Sequence, residues 1–368
     1  MTGALENLLV VSLEQAVAAP YCSRVFAEGG ARVIKLERPE GDFARAYDTV
    51  IDGKSAYFVW LNSGKESVAV DLGDAADKAL LENILKQADV FIQNLRPGAV
   101  ERLGFGFSEL QRINPQLIMC SISGYGSTGE YAQMKAYDAL IQAETGLCSV
   151  TGPPGEPSKV GASIVDISTG LTAYGEIMKA LYARSNGAPG IHIEVPMFGV
   201  LAEWLAVPLT YYEYGDVLLG GTGIDHSQIA PYGAFATPDG PIFIVVQNQR
   251  EWRRLCEEGL GKPEMADDER YKTNQQRIQN VDALRSDMEA VFSGVPRAET
   301  ARRLLAAGIA CGNINNLRDL STHPALQRKQ VDVHGTPISL ARRVGDTLDN
   351  APVPTLDQHG TDIRREFS

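Results

Sequence analysis

The chain reads as an α/β protein in which a parallel sheet, covered on both faces, is joined to a smaller α+β domain. Three observations predict this. Apolar runs of strand length alternate with helical patterns over the first half of the chain. Those runs are nearly continuous in Val, Ile and Leu, as strands buried on both faces are. Beyond about residue 225 the pattern changes to a hairpin followed by helices.

The elements follow in order. "LLVVSL" (8–13) reads as a buried strand, Pro20 to Glu28 as a helix stopped by Gly29-Gly30, and "RVIKLE" (32–37) as a second strand, which makes a βαβ unit. "ESVAVDL" (66–72) is a third strand. A helix from about Asp74 to Gln87 follows, with Ala76, Leu80, Leu81, Ile84 and Leu85 at helical spacing. "DVFIQNL" (89–95) and "LIMCSIS" (117–123) are strands with a short helix between them. After Asp166 a helix runs to about Ala183, then comes the strand "IHIEVPM" (191–197) and a Leu/Tyr-rich helix to about Tyr214. "YGAFATPDGPIFIVVQN" (232–248) is a hairpin with a Pro-Asp-Gly turn. Helices are expected at Arg250–Gly259, about Asn274–Phe292 and Ala298–Ala307. The tail "APVPTLDQHGTDIRREF" has no core of its own and is expected to lie back on another domain.

The totals bound the function. At 368 residues the chain exceeds one comfortable core, so two domains are expected. Its 44% hydrophobic and 22% charged residues are those of a globular protein. A net charge of −12 with no basic stripe argues against a nucleic-acid partner. The apolar runs fall far short of the ~20 residues of a membrane span, and "MTGALENLLVV" lacks the basic start and cleavage site of a signal peptide. Cys22, Cys120, Cys148, Cys256 and Cys311 are odd in number and form no C-x-x-C, which suits reduced thiols in the cytoplasm. The histidines show no H-x-x-x-H spacing, so no sequence-local metal site is expected, which leaves open only one assembled from distant residues.

Familiar nucleotide and hydrolase motifs are missing. The first strand is followed by "LEQAVAAPYC", without the glycines of a dinucleotide loop. "NSGKES" (62–67) lacks the upstream glycine of a phosphate loop and has Glu66 where Ser or Thr belongs. "SGYGSTG" (123–129) has the wrong spacing for a nucleophile elbow.

Asp166, in "VGASIVDISTGLTAYGEIMKAL" (160–181), has two readings. It is either a helix N-cap or a carboxylate nucleophile, kept ionised by the helix dipole and able to hold an acyl group covalently. Gly161 and Gly170 would leave room for a bulky substrate.

Seven landmarks decide between them: "AAPYCSRVFAEGGARVIKLERPEGD" (18–42), "NSGKESVAVDL" (62–72), "QNLRPGAVERLGFG" (93–106), "ISGYGSTGEYAQMKAYDALIQAETGL" (122–147), "GASIVDISTGLTA" (161–173), "IAPYGAFATPDG" (229–240) and "DQHGTDI" (357–363). In this order they resemble the family III CoA-transferases, the formyl-CoA and carnitine CoA-transferase group, over essentially the whole chain. The resemblance implies that Asp166 is the catalytic aspartate. It attacks an acyl-CoA to give a mixed anhydride, takes CoA as an aspartyl thioester, and passes it to an acceptor carboxylate. Coenzyme A and acyl-CoA are then substrates, a small carboxylic acid is the partner, and no tightly bound cofactor is implied. Backbone N–H groups near Asp166 would stabilise the oxyanions.

The resemblance also maps CoA contacts onto Arg38, Lys65, Asn94, Arg96, Arg102 and Lys135. For each alone, a solvated surface charge is the competing reading. Val17, Tyr137 and Asp138 match positions lining the active site. "LLGGTGIDHSQ" (218–228), with Gly220 and Gly221, resembles in part a glycine loop that shields the intermediate, but is less glycine-rich.

The same family contains α-methylacyl-CoA racemases, which use a His-Asp pair to exchange an α-proton. Tyr137 stands at the matching His position, and a phenol, with an unperturbed pKa near ~10, is a poor base. The racemases' additional Glu falls near Gln247–Gln249, where there is no carboxylate. A non-catalytic acyl-CoA-binding protein is a third reading. "GDFAR" (41–45) with "YDTVIDGKSAYFVWLN" looks like a subgroup acting on C4–C5 dicarboxylates such as succinate, malate, citramalate, itaconate and mesaconate. Arg45, or an arginine of the small domain, is expected to bind the distal carboxylate; the competing reading has Arg45 facing solvent or CoA. The family architecture implies a Rossmann-like large domain from residues 1–195 and 321–368, a linker at 196–225, a small domain at 226–320, and an interlocked homodimer.

Overall fold

The computed structural model describes residues 3–368. Contacts divide the chain into two compact units. One takes the chain through Leu147 with Lys159–Leu209 and Leu326–Ser368; the other takes Cys148–Ser158 and Thr210–Ala325.

The first unit is built on six parallel strands: β1 (Leu9–Leu13), β2 (Arg32–Glu37), β3 (Glu66–Ala69), β4 (Val90–Gln93), β5 (Ile118–Ser123) and β6 (His192–Pro196). Their spatial order is β3-β2-β1-β4-β5-β6. Its helices before β6 are α1 (Ala18–Glu28), α2 (Ala56–Asn62), α3 (Ala75–Leu85), α4 (Ala99–Arg102), α5 (Phe107–Ile113), α6 (Asp138–Glu144) and α8 (Ile164–Ser185); the single turn α7 (Leu147–Val150) lies where the chain passes into the second unit. Side chains alternate across the sheet. Val10, Val33, Ile92 and Ile122 pack under α1 and α8. Val11, Ile34, Phe91 and Met119 pack against α3 and α5. Both faces are covered, which is why the central strands β1, β4 and β5 are largely apolar, while the edge strands β3 and β6 carry more polar residues.

The order reverses between β1 and β4. The connection after β1 leads to one side and that after β4 to the other, which opens a crevice at the strand C-termini. Asn94 bridges it, accepting from Gln15 N (3.0 Å) and donating to Gln15 O (2.9 Å). Above the sheet α1 lies tight on α8. Gly170 permits this, because a Cβ there would stand 2.7 Å from the Ala18 carbonyl oxygen.

Two features of this unit escape the sequence reading. Arg328–Val333, Thr336–Ala341 and Ala351–Pro352 form a separate three-stranded sheet. Its hairpin turns at His334 and Gly335, both with positive φ. The tail lies back on this unit as expected, but through a helix, Gly360–Glu366, which sends Ile363 and Phe367 into the core beneath the main sheet.

The second unit carries an antiparallel sheet of Tyr232–Phe235, Ile242–Val245 and Ala310–Asn313. The hairpin matches the expectation; the third strand, "ACGN", carries no periodic signal. Its core gathers Trp252, Tyr271, Leu284, Met288 and Leu304. The helix expected across 274–292 is two, Asn274–Gln279 and Val281–Phe292, broken at Asn280. The Asn280 side chain donates to Gln276 O (2.9 Å) and Arg270 O (3.3 Å), local bonds that compete with helix continuation.

Candidate active site

A cavity of about 610 Å³ opens at the crevice, walled by the turns after β1, β4 and β5 and by the start of α8. Asp166 lies in its wall. It is not the helix cap, and the helix does not begin after it. It is the third residue of α8, whose N-cap position, Ser163, makes no side-chain cap bond. The capping acceptor comes from a distance. Asp138 Oδ1 takes the N–H of Val165 (2.8 Å) and of Asp166 (3.3 Å), while its Oδ2 accepts from Gln142 Nε2 (2.6 Å). The Asp166 carboxylate is thereby left without a hydrogen-bond donor among the described residues.

This arrangement reverses an expectation. The helix end was expected to keep Asp166 ionised, yet its pKa is raised to about 7. Burial is the larger cause, and the charge of Asp138 is the second. Asp138 takes up the N-terminal amides that would otherwise favour a second anion and adds its own repulsion. At neutral pH Asp166 is therefore poised between acid and carboxylate.

Of the residues singled out by sequence, Val17, Asn94, Arg96, Lys135, Tyr137 and Asp138 line the same cavity as Asp166. Arg96 and Lys135 are exposed cations at its edge, and Lys159, which sequence reading did not select, is a third.

Two assignments, Lys65 and Arg45, are corrected. Lys65 is fully buried; its Nζ sits on Glu14 Oε1 (2.8 Å), Pro20 O (3.0 Å) and Asn62 Oδ1 (3.1 Å) and cannot reach a phosphate. Arg45 is paired bidentately with Glu37 (2.7 and 2.8 Å), bonded to Pro354 O, and stacked on Phe58, so it has no fork to offer a distal carboxylate. Arg38 and Arg102 are exposed and outside the cavity wall. Gly220 and Gly221 belong to the second unit, where Gly221 packs on Gly152: a Cβ there would stand 2.4 Å from the Gly152 carbonyl oxygen.

An aromatic wall was also missed. Phe43, Tyr47 and Tyr57 line the cavity as a chain of rings, with centroids 5.7 and 5.5 Å apart. Burial first, then the charges of Asp42 and Asp166, push the Tyr47 phenol up to about 12, so it stays a donor. The signal lay in the aromatic-rich stretch 43–60; what was missing was that the strand order turns it toward Asp166.

Comparison with known proteins supplies the context for this geometry. The profile described as CoA-transferase family III matches residues 5–359. An acetyl-CoA:oxalate CoA-transferase of Acetobacter aceti is 34% identical, over 100% of this chain and 96% of its own. A succinyl-CoA:glutarate CoA-transferase of Mus musculus is 31% identical, over 98% of this chain and 86% of its own. Among solved structures, a CAIB/BAIF family protein from Brucella suis superposes with a TM-score of 0.83 at 32% identity, covering 100% of both chains.

Proposed function

We propose that this chain, which belongs to CoA-transferase family III and is a CoA-transferase, moves coenzyme A from a short acyl-CoA such as succinyl-CoA to a free short dicarboxylic acid, using Asp166 as nucleophile. One observation carries the reading: the Asp166 carboxylate is open to the cavity and accepts no hydrogen bond from the described residues, while Asp138 does the capping.

In this reaction an ionised Asp166 oxygen attacks the thioester carbonyl and CoA leaves as thiolate, giving a mixed anhydride. The thiolate attacks the aspartyl carbonyl; the donor acid departs with one Asp166 oxygen, and an aspartyl-CoA thioester remains. The acceptor carboxylate attacks that thioester, CoA leaves again, and a second mixed anhydride forms. Attack of CoA on the acceptor acyl carbon gives the new acyl-CoA and restores Asp166. One thioester replaces another, so the exchange is near thermoneutral. Arg96, Lys135 and Lys159 would receive the CoA phosphates, and the Phe43–Tyr47–Tyr57 wall would face the acids.

Named relatives act on C2 to C5 acids (oxalate, glutarate and mesaconate), which supports a dicarboxylate acceptor. The test is mass-spectrometric exchange: protein, succinyl-CoA and a panel of mono- and dicarboxylic acids, with Asp166→Ala in parallel. New acyl-CoA that disappears in the variant is expected. Exchange unaffected by Asp166→Ala, or proton exchange at the α-carbon of a 2-methylacyl-CoA without transfer, would sink the reading. A heavy-oxygen label in the acceptor carboxylate should appear in the Asp166 peptide.

The proposal extends to a cytoplasmic homodimer, interlocked as in the family. No helix of the described residues is long and apolar enough to cross a membrane. Tyr214 and Leu218 of the second unit, at 85% and 82% exposure, are apolar side chains suited to a partner chain. Sedimentation giving a monomer that persists at micromolar concentration would overturn the dimer.

A further inference from the structure

We propose that the buried cluster Glu14, Lys35, Lys65 and Asp42 is a positioning device for Asp166 chemistry, holding the β1–α1 turn as a fixed wall of the cavity. The inference rests on the CoA-transfer reading. All four side chains are fully or nearly fully shielded from solvent. Lys35 Nζ contacts Asp42 Oδ2 (2.9 Å) and Glu14 Oε1 (3.3 Å), and Lys65 Nζ contacts the same Glu14 oxygen (2.8 Å). The other Glu14 oxygen accepts from Ser12 and Ser23. Buried ion pairs in proteins can often be replaced by apolar side chains of equal volume with little loss of stability, so the specific reach of these charged groups has to be accounted for.

That reach converges on one turn. Asp42 Oδ1 accepts the N–H of Ala16 (3.1 Å). Lys65 grips the Pro20 carbonyl (3.0 Å) in the first turn of α1. Glu14 is itself the residue that leaves β1. Between these anchors Ala16 has φ +65°, a conformation a side chain opposes and glycine accepts. Where a dinucleotide-binding turn uses glycine, this chain forces an alanine left-handed and holds it from beneath. Gln15, Ala16, Val17 and Ala18 line the cavity with Asp166. The cations Arg96 and Lys135 lie elsewhere on the wall, so loosening the turn should leave acyl-CoA binding in place.

The experiment uses Glu14→Gln and Asp42→Asn, with hydrogen exchange of the 14–19 peptide and steady-state kinetics on the same folded preparations. The expected result is faster exchange in that peptide with the rest unchanged, kcat lower by roughly 10- to 100-fold, and acyl-CoA KM within about twofold. The double variant Glu14→Gln/Lys65→Met removes both buried charges. It should regain thermal stability over Glu14→Gln without regaining kcat, a split that a merely structural role would not produce. Unchanged kcat in a variant with a loosened turn, or lost kcat with an unchanged turn, overturns the proposal. If the parent protein transfers no CoA, the Asp166 reading itself has failed, and unchanged exchange at 14–19 would then reject the cluster's hold on the turn separately.

Discussion

At Asp166 one side chain carries two opposing demands. To attack a thioester, as proposed, it must be ionised; its surroundings, burial first and Asp138 second, raise its pKa to about 7. A carboxyl raised above its unfolded value is protonated more readily in the folded state, so its contribution to stability declines as pH rises from about 4 to 7. Asp166→Asn should therefore abolish transfer yet raise the melting temperature at pH 8 and not at pH 3.5. Equal shifts at both pH values would show that burial of the charge is not what the substitution relieves. The rate of acylation by the donor, kcat/KM, should rise with pH to a plateau with a midpoint near about 7. Asp138→Asn keeps a capping oxygen for Val165 but removes the repelling charge, so that midpoint should move to lower pH. A limb that stays in place would mean that burial alone sets it.

The pairing of α1 with α8 is the element that brings the cavity wall and Asp166 together. It depends on Gly170, one turn beyond Asp166, where an added methyl would meet backbone and not a yielding side chain. Gly170→Ala should cost about 1–3 kcal/mol and reduce transfer, because α1 must move away from α8. Gly175, also in α8 but facing open space, should accept alanine without loss. Thermal melts of the two variants make the comparison; equal stability would show that the close approach is not under constraint. At the other face, Phe367 is 3% exposed in the core beneath the sheet. Phe367→Ala should destabilise by about 3–5 kcal/mol, read by urea denaturation.

Across the first unit, buried charge clusters tie segments that are distant in sequence. Besides the one under the β1–α1 turn, Glu28 at the end of α1 accepts from Lys329 (2.8 Å) and Arg343 (2.6 Å), joining α1 to the C-terminal sheet. Burial would raise both glutamates. Lys65 and Lys35 overcome it at Glu14, and Arg24 with Lys329 and Arg343 at Glu28, so both stand at about 2. A lowered carboxylate stabilises the fold above its unfolded pKa, and that contribution is lost as pH falls through the folded value. Each contributes on the order of 3 kcal/mol at neutral pH. Denaturant midpoints should therefore fall between about pH 4.5 and 2, and Glu28→Gln should flatten the fall. An unaltered acid profile in that variant would remove Glu28 from the account.

The chain alone made much of this legible. Six strand-length segments alternating with helical patterns announced the sheet, and the apolar runs among them announced that its centre is covered on both faces, because strands with no solvent side need no polar alternation. The motifs also picked out Val17, Asn94, Arg96, Lys135, Tyr137, Asp138 and Asp166, which the fold gathers around one cavity. Short contacts between distant segments were not legible, since nothing local encodes them. "ACGN" becomes a strand only because Ile242–Val245 offers it an edge. Asp166 loses the capping role to Asp138, 28 residues away. Lys65 and Arg45 look like anion-binding residues in the sequence, and folding spends both on buried glutamates. A side chain's type sets what it can bind; its partner, and so its use, depends on which charges the fold buries beside it.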